Sequence, residues 1–175
     1  MRYLIIGNSA AGNAAATAIR RFDRVGEVLI LSAEGHPSYY RPLIPHLIDG
    51  TKGGDDLLRT PAHMPPDVTV RLNCRVTAID PAAKTVTLAD GEELSYDRLL
   101  LTTGSTPIKP DISGLDGPGV FTLRTWDDAL AIRRAAKGAR HAVILGGGRV
   151  GMKSAFALRE LGLEVIVVEL LERIV

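Results

Sequence analysis

The chain has 175 residues, 46% of them hydrophobic and 23% charged, with a formal net charge of +1. That balance supports a packed core and gives no basic excess for nucleic acid or an acidic membrane surface. Cys74 is the one cysteine, which excludes an intrachain disulfide and a CxxC redox pair. The four histidines, His36, His46, His63 and His141, have no metal-site spacing.

The length fits one domain or two small ones. The opening MRYLIIG reads as a strand from residue 3, so no leader peptide is expected. No apolar run reaches membrane-spanning length, and the expected location is cytoplasmic.

Tyr3–Ile6 is a short apolar run ending at Gly7, followed by AAGNAAATAIRRF. Alanine favours helix, and Ala14, Ala18 and Phe22 are spaced to share one helix face, with Gly26 closing the helix. Glu27–Leu31 is a second buried-strand pattern. Strand, glycine turn, helix and strand predict a right-handed βαβ unit in a parallel sheet buried on both faces. Residues 35–67 are rich in proline and glycine, leaving short helical pieces at Leu43–Ile48 and Asp55–Leu58. Such a stretch is either a functional loop or a surface excursion.

From Val68 the chain turns β-rich, with VTVRLN, RVTAID, KTVTLA and ELSYDRLLL in succession and Asp90–Gly91 as a hairpin turn. An antiparallel meander is expected over about residues 68–97, returning to the parallel sheet through Arg98–Leu101. Residues 107–118 form a proline- and glycine-rich linker. Thr125 or Asp127 is placed to cap a helix that runs to about Lys137 and stops at Gly138. His141–Leu145 opens a second βαβ unit, with its helix at Met152–Leu161 and its second strand at Glu164–Val168. The expected fold is α/β and Rossmann-like in three layers, with one domain at 1–118 and an incomplete second at 119–175.

Gly146, Gly148 and Gly151 stand in G-x-G-x-x-G register between a strand and a helix, and with Val150 they are the candidate nucleotide-binding residues of this unit. The first glycine permits a tight turn, the second a close approach of backbone to diphosphate, and the third close helix–strand packing. The helix N-terminus adds unpaired amides and partial positive charge. Glu169 follows Gly148 by 21 residues, where a carboxylate accepts from an adenosine ribose and repels a 2′-phosphate, favouring NAD over NADP. The alternative is that these glycines only shape a tight βα junction. The first unit reads Gly7-Asn8-Ser9-Ala10-Ala11-Gly12, with Ser9 in place of the middle glycine and Glu34 as the ribose candidate.

In order and content the chain resembles the N-terminal part of the FAD-dependent pyridine nucleotide oxidoreductases. The likeness is to the branch of NADH oxidases, rubredoxin and ferredoxin reductases and nitrite reductase flavin portions. LIIGNSAAGNAAATAIR, HPSYYRPLIP, VTAIDPAAKTVTL, YDRLLLTTGSTPIKP and ILGGGRVGMKSAFALRELGLEVIVVE carry the match. The resemblance implies that Gly7, Ser9, Ala10, Ala11 and Gly12 meet the FAD diphosphate and that Glu34 holds its ribose. It further implies that Arg41 and Pro42 face the cofactor, that the backbone around Val76 meets the adenine edge, and that Thr103 and Gly104 form a turn near FAD. The second fingerprint would then hold NADH.

Where disulfide-type relatives carry a redox cysteine, this chain has Pro42. Cys74 reads as a structural thiol, and a thiol relay is not expected. Where electron-transfer relatives pair a lysine with a glutamate beside the flavin, the matching positions are His46 and Lys153. Lys153 would either keep His46 neutral, or the two would favour an anionic flavin or acidic substrate, or both face water. Tyr39 and Tyr40 either shield the flavin or anchor their loop by burial. His36 and His63 read as surface loop residues and Trp126 as packing.

The implied function is hydride transfer from NADH to FAD and electron transfer to an unidentified acceptor. The rival is an auxiliary nucleotide-binding subunit or truncated fragment without turnover. An apolar strand at Val165–Val168 near the edge of an unfinished sheet should be covered by another copy or a second subunit. FAD is expected to bind poorly to this length of chain alone.

Overall fold

The computed structural model describes residues 1–59, 65 and 67–174. His63 of the sequence reading lies outside the described residues, as do parts of the proline- and glycine-rich stretch 35–67. The chain divides into two compact units, Met1–Tyr40 with Leu58–Ser105, and Arg41–Leu57 with Thr106–Val175. Packing therefore does not follow a boundary at 118, because Arg41–Leu57 carries a short helix that packs on two helices of the second unit.

In the first unit β1 (Arg2–Ile6), α1 (Ala10–Phe22) and β2 (Glu27–Leu31) form the first βαβ motif, followed by β3 (Thr69–Arg71). β4 (Val76–Asp80), β5 (Thr85–Leu88) and β6 (Glu93–Ser95) form an antiparallel meander, and β7 (Arg98–Leu101) returns to the main sheet. The main sheet is parallel, in the order β3-β2-β1-β7, and aligns the strand ends Ile6, Leu31, Arg71 and Leu101.

Side-chain alternation explains the unbroken apolar runs. Leu4, Leu29 and Leu31 face the meander's Val86, Leu88 and Leu94. Ile5, Val28 and Ile30 face Ala16 of α1, with Ala15 and Ile19 packed beside them. Helix, sheet and meander make the three layers.

Three expectations are corrected in this unit. The meander begins at Val76, not near residue 68. Thr69–Arg71 extends the parallel sheet because Val70 pairs with Ile30 and packs on the α1 side. The Arg71 guanidinium then ties β3 to the meander, donating to both carboxylate oxygens of Glu92 at 2.9 and 2.5 Å. That pair holds the Glu92 carboxyl below its usual range.

The second correction concerns the face of α1. Ala14 and Ala18 are exposed, and Phe22 is 92% exposed; the buried residues are Gly12, Asn13 and Ala16. A Cβ on Gly12 would come within 2.0 Å of the Gly7 carbonyl oxygen, so the turn fixes which stripe of the helix faces the sheet. Asp23, not Gly26, ends α1, and its carboxylate accepts from the Val25 and Gly26 amides at 3.0 and 2.7 Å. The Asp90–Gly91 hairpin is as expected, with Gly91 at φ 89.

The second unit holds α2 (Pro45–Asp49), α3 (Trp126–Ala136), β8 (His141–Leu145), α4 (Arg149–Glu160) and β9 (Glu164–Val168). Arg41–Leu43 and Asp55–Leu57 form single 3-10 turns. α2 packs against α3 and α4. Arg133 of α3 donates to the Leu47 carbonyl near the end of α2, and Gly54 lies against the Trp126 ring.

α3 is capped by its own side chains. The Thr125 hydroxyl accepts from the Asp128 amide at 3.2 Å while the Asp128 carboxylate accepts from the Thr125 amide at 2.7 Å. β8 and β9 pair in parallel, with Leu145 opposite Val168. Their alternate residues, Val143, Leu145, Ile166 and Val168, form an exposed apolar face.

Candidate functional site

The two glycine turns have the same construction. Gly7 and Gly146 sit at φ 120 and 102, where a Cβ is strained. Each donates its amide to the last residue of the neighbouring strand, Gly7 to Leu31 and Gly146 to Val168, both at 2.8 Å. The third glycine of each motif lies against the carbonyl of the first, and a Cβ would come to 2.0 Å at Gly12 and 2.1 Å at Gly151. These four glycines are required by the fold of the turn itself.

The middle positions differ in kind. Ser9 and Gly148 are the N-cap residues of α1 and α4, both extended, and neither helix has a side-chain cap bond or an acid in its first turn. Gly148 has φ −74, which suits any residue, and an added Cβ would meet nothing within 4 Å. The chain itself does not need glycine there. The open space over the α4 N-terminus fits a diphosphate brought close to the backbone. Ala10, Ala11 and Val150 lie exposed in the two first turns.

Around the first turn, Thr102 Oγ1 lies 3.0 Å from both the Ile6 and Gly7 carbonyl oxygens and shares its proton between them. A Cβ on Gly7 would strike the Thr102 carbonyl at 2.2 Å. Thr103 and Gly104, the latter at φ 77, continue from this point at the exposed end of β7. Glu34 is half-buried beyond the end of β2, and its carboxylate accepts from the Tyr39 hydroxyl at 2.5 Å. Val76 opens β4 and packs against the cluster beneath the sheet. Cys74 packs against the same cluster, its thiol 3.4 Å from the Leu72 carbonyl.

Asn13 is 2% exposed, donates to the Asn8 side chain at 2.9 Å and accepts from the Ser38 hydroxyl at 2.6 Å. The sequence reading missed Asn13, Ser38 and Thr102. An amide among alanines on a sheet-facing helix stripe was the available signal for Asn13.

In the second unit Glu169 follows the end of β9, and its carboxylate accepts from the Gly147 amide at 2.5 Å and the Leu171 amide at 2.9 Å. These amide bonds, Leu171's first, hold its carboxyl below the usual range. At Gly147, which the motif reading passed over, an added Cβ would lie 2.4 Å from Ile174 and would have to displace that exposed side chain.

Arg41 donates to the Arg124 carbonyl at 3.0 Å, and the Pro42 carbonyl accepts from Lys153 Nζ at 3.3 Å. His46 Nδ1 is 3.0 Å from Thr51 Oγ1, which donates to Asp49 at 2.6 Å. The threonine proton is thus committed, and His46 Nδ1 is the donor. His46 and Lys153 stand on packed helices, each bonded to its own neighbour. Among the described residues no group of three His, Cys, Asp or Glu is arranged to hold a metal, and no helix is long and apolar enough to cross a membrane.

Known proteins are similar to this chain in sequence and fold. The chain is 35% identical to the NADH-dependent phenylglyoxylate dehydrogenase subunit epsilon of Aromatoleum evansii over 99% of its own length and 42% of the relative's. It is 34% identical to an NADH oxidase of Methanocaldococcus jannaschii over 97% of its own length and 40% of that protein's. The structure of a NAD-dependent persulfide reductase from A. fulgidus superposes with a TM-score of 0.88 at 34% identity, covering 99% of this chain and 34% of that one. The chain thus spans about two fifths of the curated relatives it matches. The pyridine nucleotide-disulphide oxidoreductase profile matches residues 1–175, and the chain belongs to that family.

Proposed function

We propose that the chain is the nucleotide-binding part of an FAD-containing, NADH-dependent oxidoreductase, with FAD on the first unit and NADH on the second. The observation that carries this reading is the repeated construction. Each unit has a left-handed glycine, a helix N-terminus without a side-chain cap, and an acid beyond the next strand. Relatives named as an NADH oxidase and an NADH-dependent dehydrogenase subunit support it.

In this reading the α1 amides, with Gly7, Ser9, Ala10, Ala11 and Gly12, hold the FAD diphosphate, and Glu34 accepts from its adenosine ribose. The backbone at Val76 meets the adenine edge, and Thr103, Gly104, Arg41 and Pro42 line the flavin side. Gly146, Gly148, Val150 and Gly151 hold the NADH diphosphate. Glu169, kept ionised by its amide bonds, accepts from the ribose and repels a 2′-phosphate. Bound FAD supplies a centre that takes two electrons from NADH and passes them on singly or in pairs.

The chain's own task is placement and electrostatics, so no general base is assigned. His46 and Lys153 are the flavin-side cations of the proposal. With one cysteine, this chain holds no thiol pair for a relay. The acceptor is unidentified. The apolar face of β8 and β9 is covered by another copy or by a second subunit, as the Aromatoleum relative is itself a subunit.

The test is a visible absorption spectrum of the purified chain, recorded anaerobically before and after NADH. A weak, substoichiometric flavin band that NADH bleaches is the expected result, since this length of chain is expected to hold FAD poorly. A flavin band unchanged by NADH would favour the auxiliary-subunit reading, and no flavin band at all would sink the FAD assignment for this chain.

A further inference from the structure

Adjacent residues Ser38 and Tyr39 reach two different parts of the first unit's candidate site. The buried Ser38 hydroxyl donates to Asn13 Oδ1 at 2.6 Å, and Asn13 Nδ2 donates to Asn8 Oδ1 at 2.9 Å. Asn8 lies inside the glycine turn, between Gly7 and Ser9. Tyr39, 4% exposed, donates its hydroxyl to Glu34 Oε2 at 2.5 Å. A hydroxyl–carboxylate bond this short is charge-assisted and fixes the rotation of the acid.

The dipeptide is itself anchored. The Arg59 amide donates to the Ser38 carbonyl at 2.8 Å, and Tyr39 pairs with Leu58 in an antiparallel bridge. Neighbouring residues of an extended segment project to opposite sides, so one anchored dipeptide can serve both contacts.

We infer that Ser38 and Tyr39 are positioning residues that fix the glycine turn and the ribose carboxylate relative to each other, so that the first unit recognises a dinucleotide by the spacing of its diphosphate and ribose. This rests on the reading of that unit as the FAD site. Asn13, buried and bonded on both sides of its amide, is the link to the turn.

The test compares dissociation constants for FAD and for an FAD analogue whose adenosine ribose lacks both hydroxyls, measured by flavin fluorescence on the full chain. Tyr39→Phe keeps the buried ring. It should weaken FAD about tenfold while changing the analogue less than about twofold, since only FAD uses the oriented carboxylate. Ser38→Ala should weaken both ligands by the same factor, because both carry the diphosphate. In a Glu34→Gln background the effect of Tyr39→Phe should vanish, since it acts through that acid.

Equal losses of both ligands in Tyr39→Phe, or an effect that persists beside Glu34→Gln, would overturn the positioning role and leave the FAD site standing. Failure of the unsubstituted chain to bind FAD would overturn the site and this inference together.

Discussion

At the first glycine turn a third strand does the holding. Thr102 follows β7, bonds to the Ile6 and Gly7 carbonyls, and leaves Glu34 to be oriented separately by Tyr39. Among the described residues the second turn has only β8 and β9 beside it, and the Glu169 carboxylate takes the Gly147 amide directly. The same motif is therefore secured in two ways. At the first turn the backbone carbonyls are bonded to the Thr102 hydroxyl, whereas at the second the acid beyond the next strand accepts from the turn's own Gly147 amide.

The largest expected effect tests what the two turns share. Gly12→Ala places a methyl group 2.0 Å from a backbone oxygen and should cost about 3 kcal/mol in thermal unfolding, as should Gly151→Ala. Loss of under about 1 kcal/mol at either would mean that the helix can draw back from the turn.

Thr102→Val should cost about 2 kcal/mol by leaving two carbonyls without their hydroxyl. It should lower flavin affinity in parallel, and unchanged affinity would break the claim that β7 secures the first turn.

Gly148→Ala sharpens the contrast between fold and ligand. With open space around the new methyl, stability should change by under about 0.5 kcal/mol. NADH affinity, read by fluorescence titration, should fall about tenfold, on the order of 1.4 kcal/mol. A loss of stability with intact affinity would reverse the assignment.

The smallest effect is a pH dependence. Amide bonds lower the Glu169 pKa in the fold, so the unfolded chain binds its proton more tightly. Its contribution is present above the ordinary carboxylate pKa and lost as pH falls through the lowered value. The difference in melting temperature between the natural chain and Glu169→Gln should hold from neutral pH into the mildly acidic range, then vanish. A difference that grew on acidification would contradict that sign.

Much of this was legible in the chain because local chemistry and tertiary packing agree there. β2 and β9 have the bounds that their apolar runs suggest, Thr125 caps α3, and Asp90–Gly91 turns the meander. The face of α1 was not legible, since it is set by one backbone contact, Gly12 on Gly7, against the apolar spacing of Ala14, Ala18 and Phe22. Three strand-like residues at Thr69–Arg71 do not reveal which sheet they join. Ser38, Asn13 and Tyr39 were hidden for a related reason: their partners lie 25, 5 and 5 residues away, and no short motif records such pairs.

The pinned state of the first turn also bears on how fast a ligand arrives. Gly7 N, Gly7 O and Ile6 O all have protein partners within the chain itself. A diphosphate meeting this turn finds backbone that needs no ordering, so the conformational entropy usually lost on binding has already been lost on folding. Flavin association should accordingly proceed in one phase, its rate linear in flavin concentration, without the plateau that a slow rearrangement would impose.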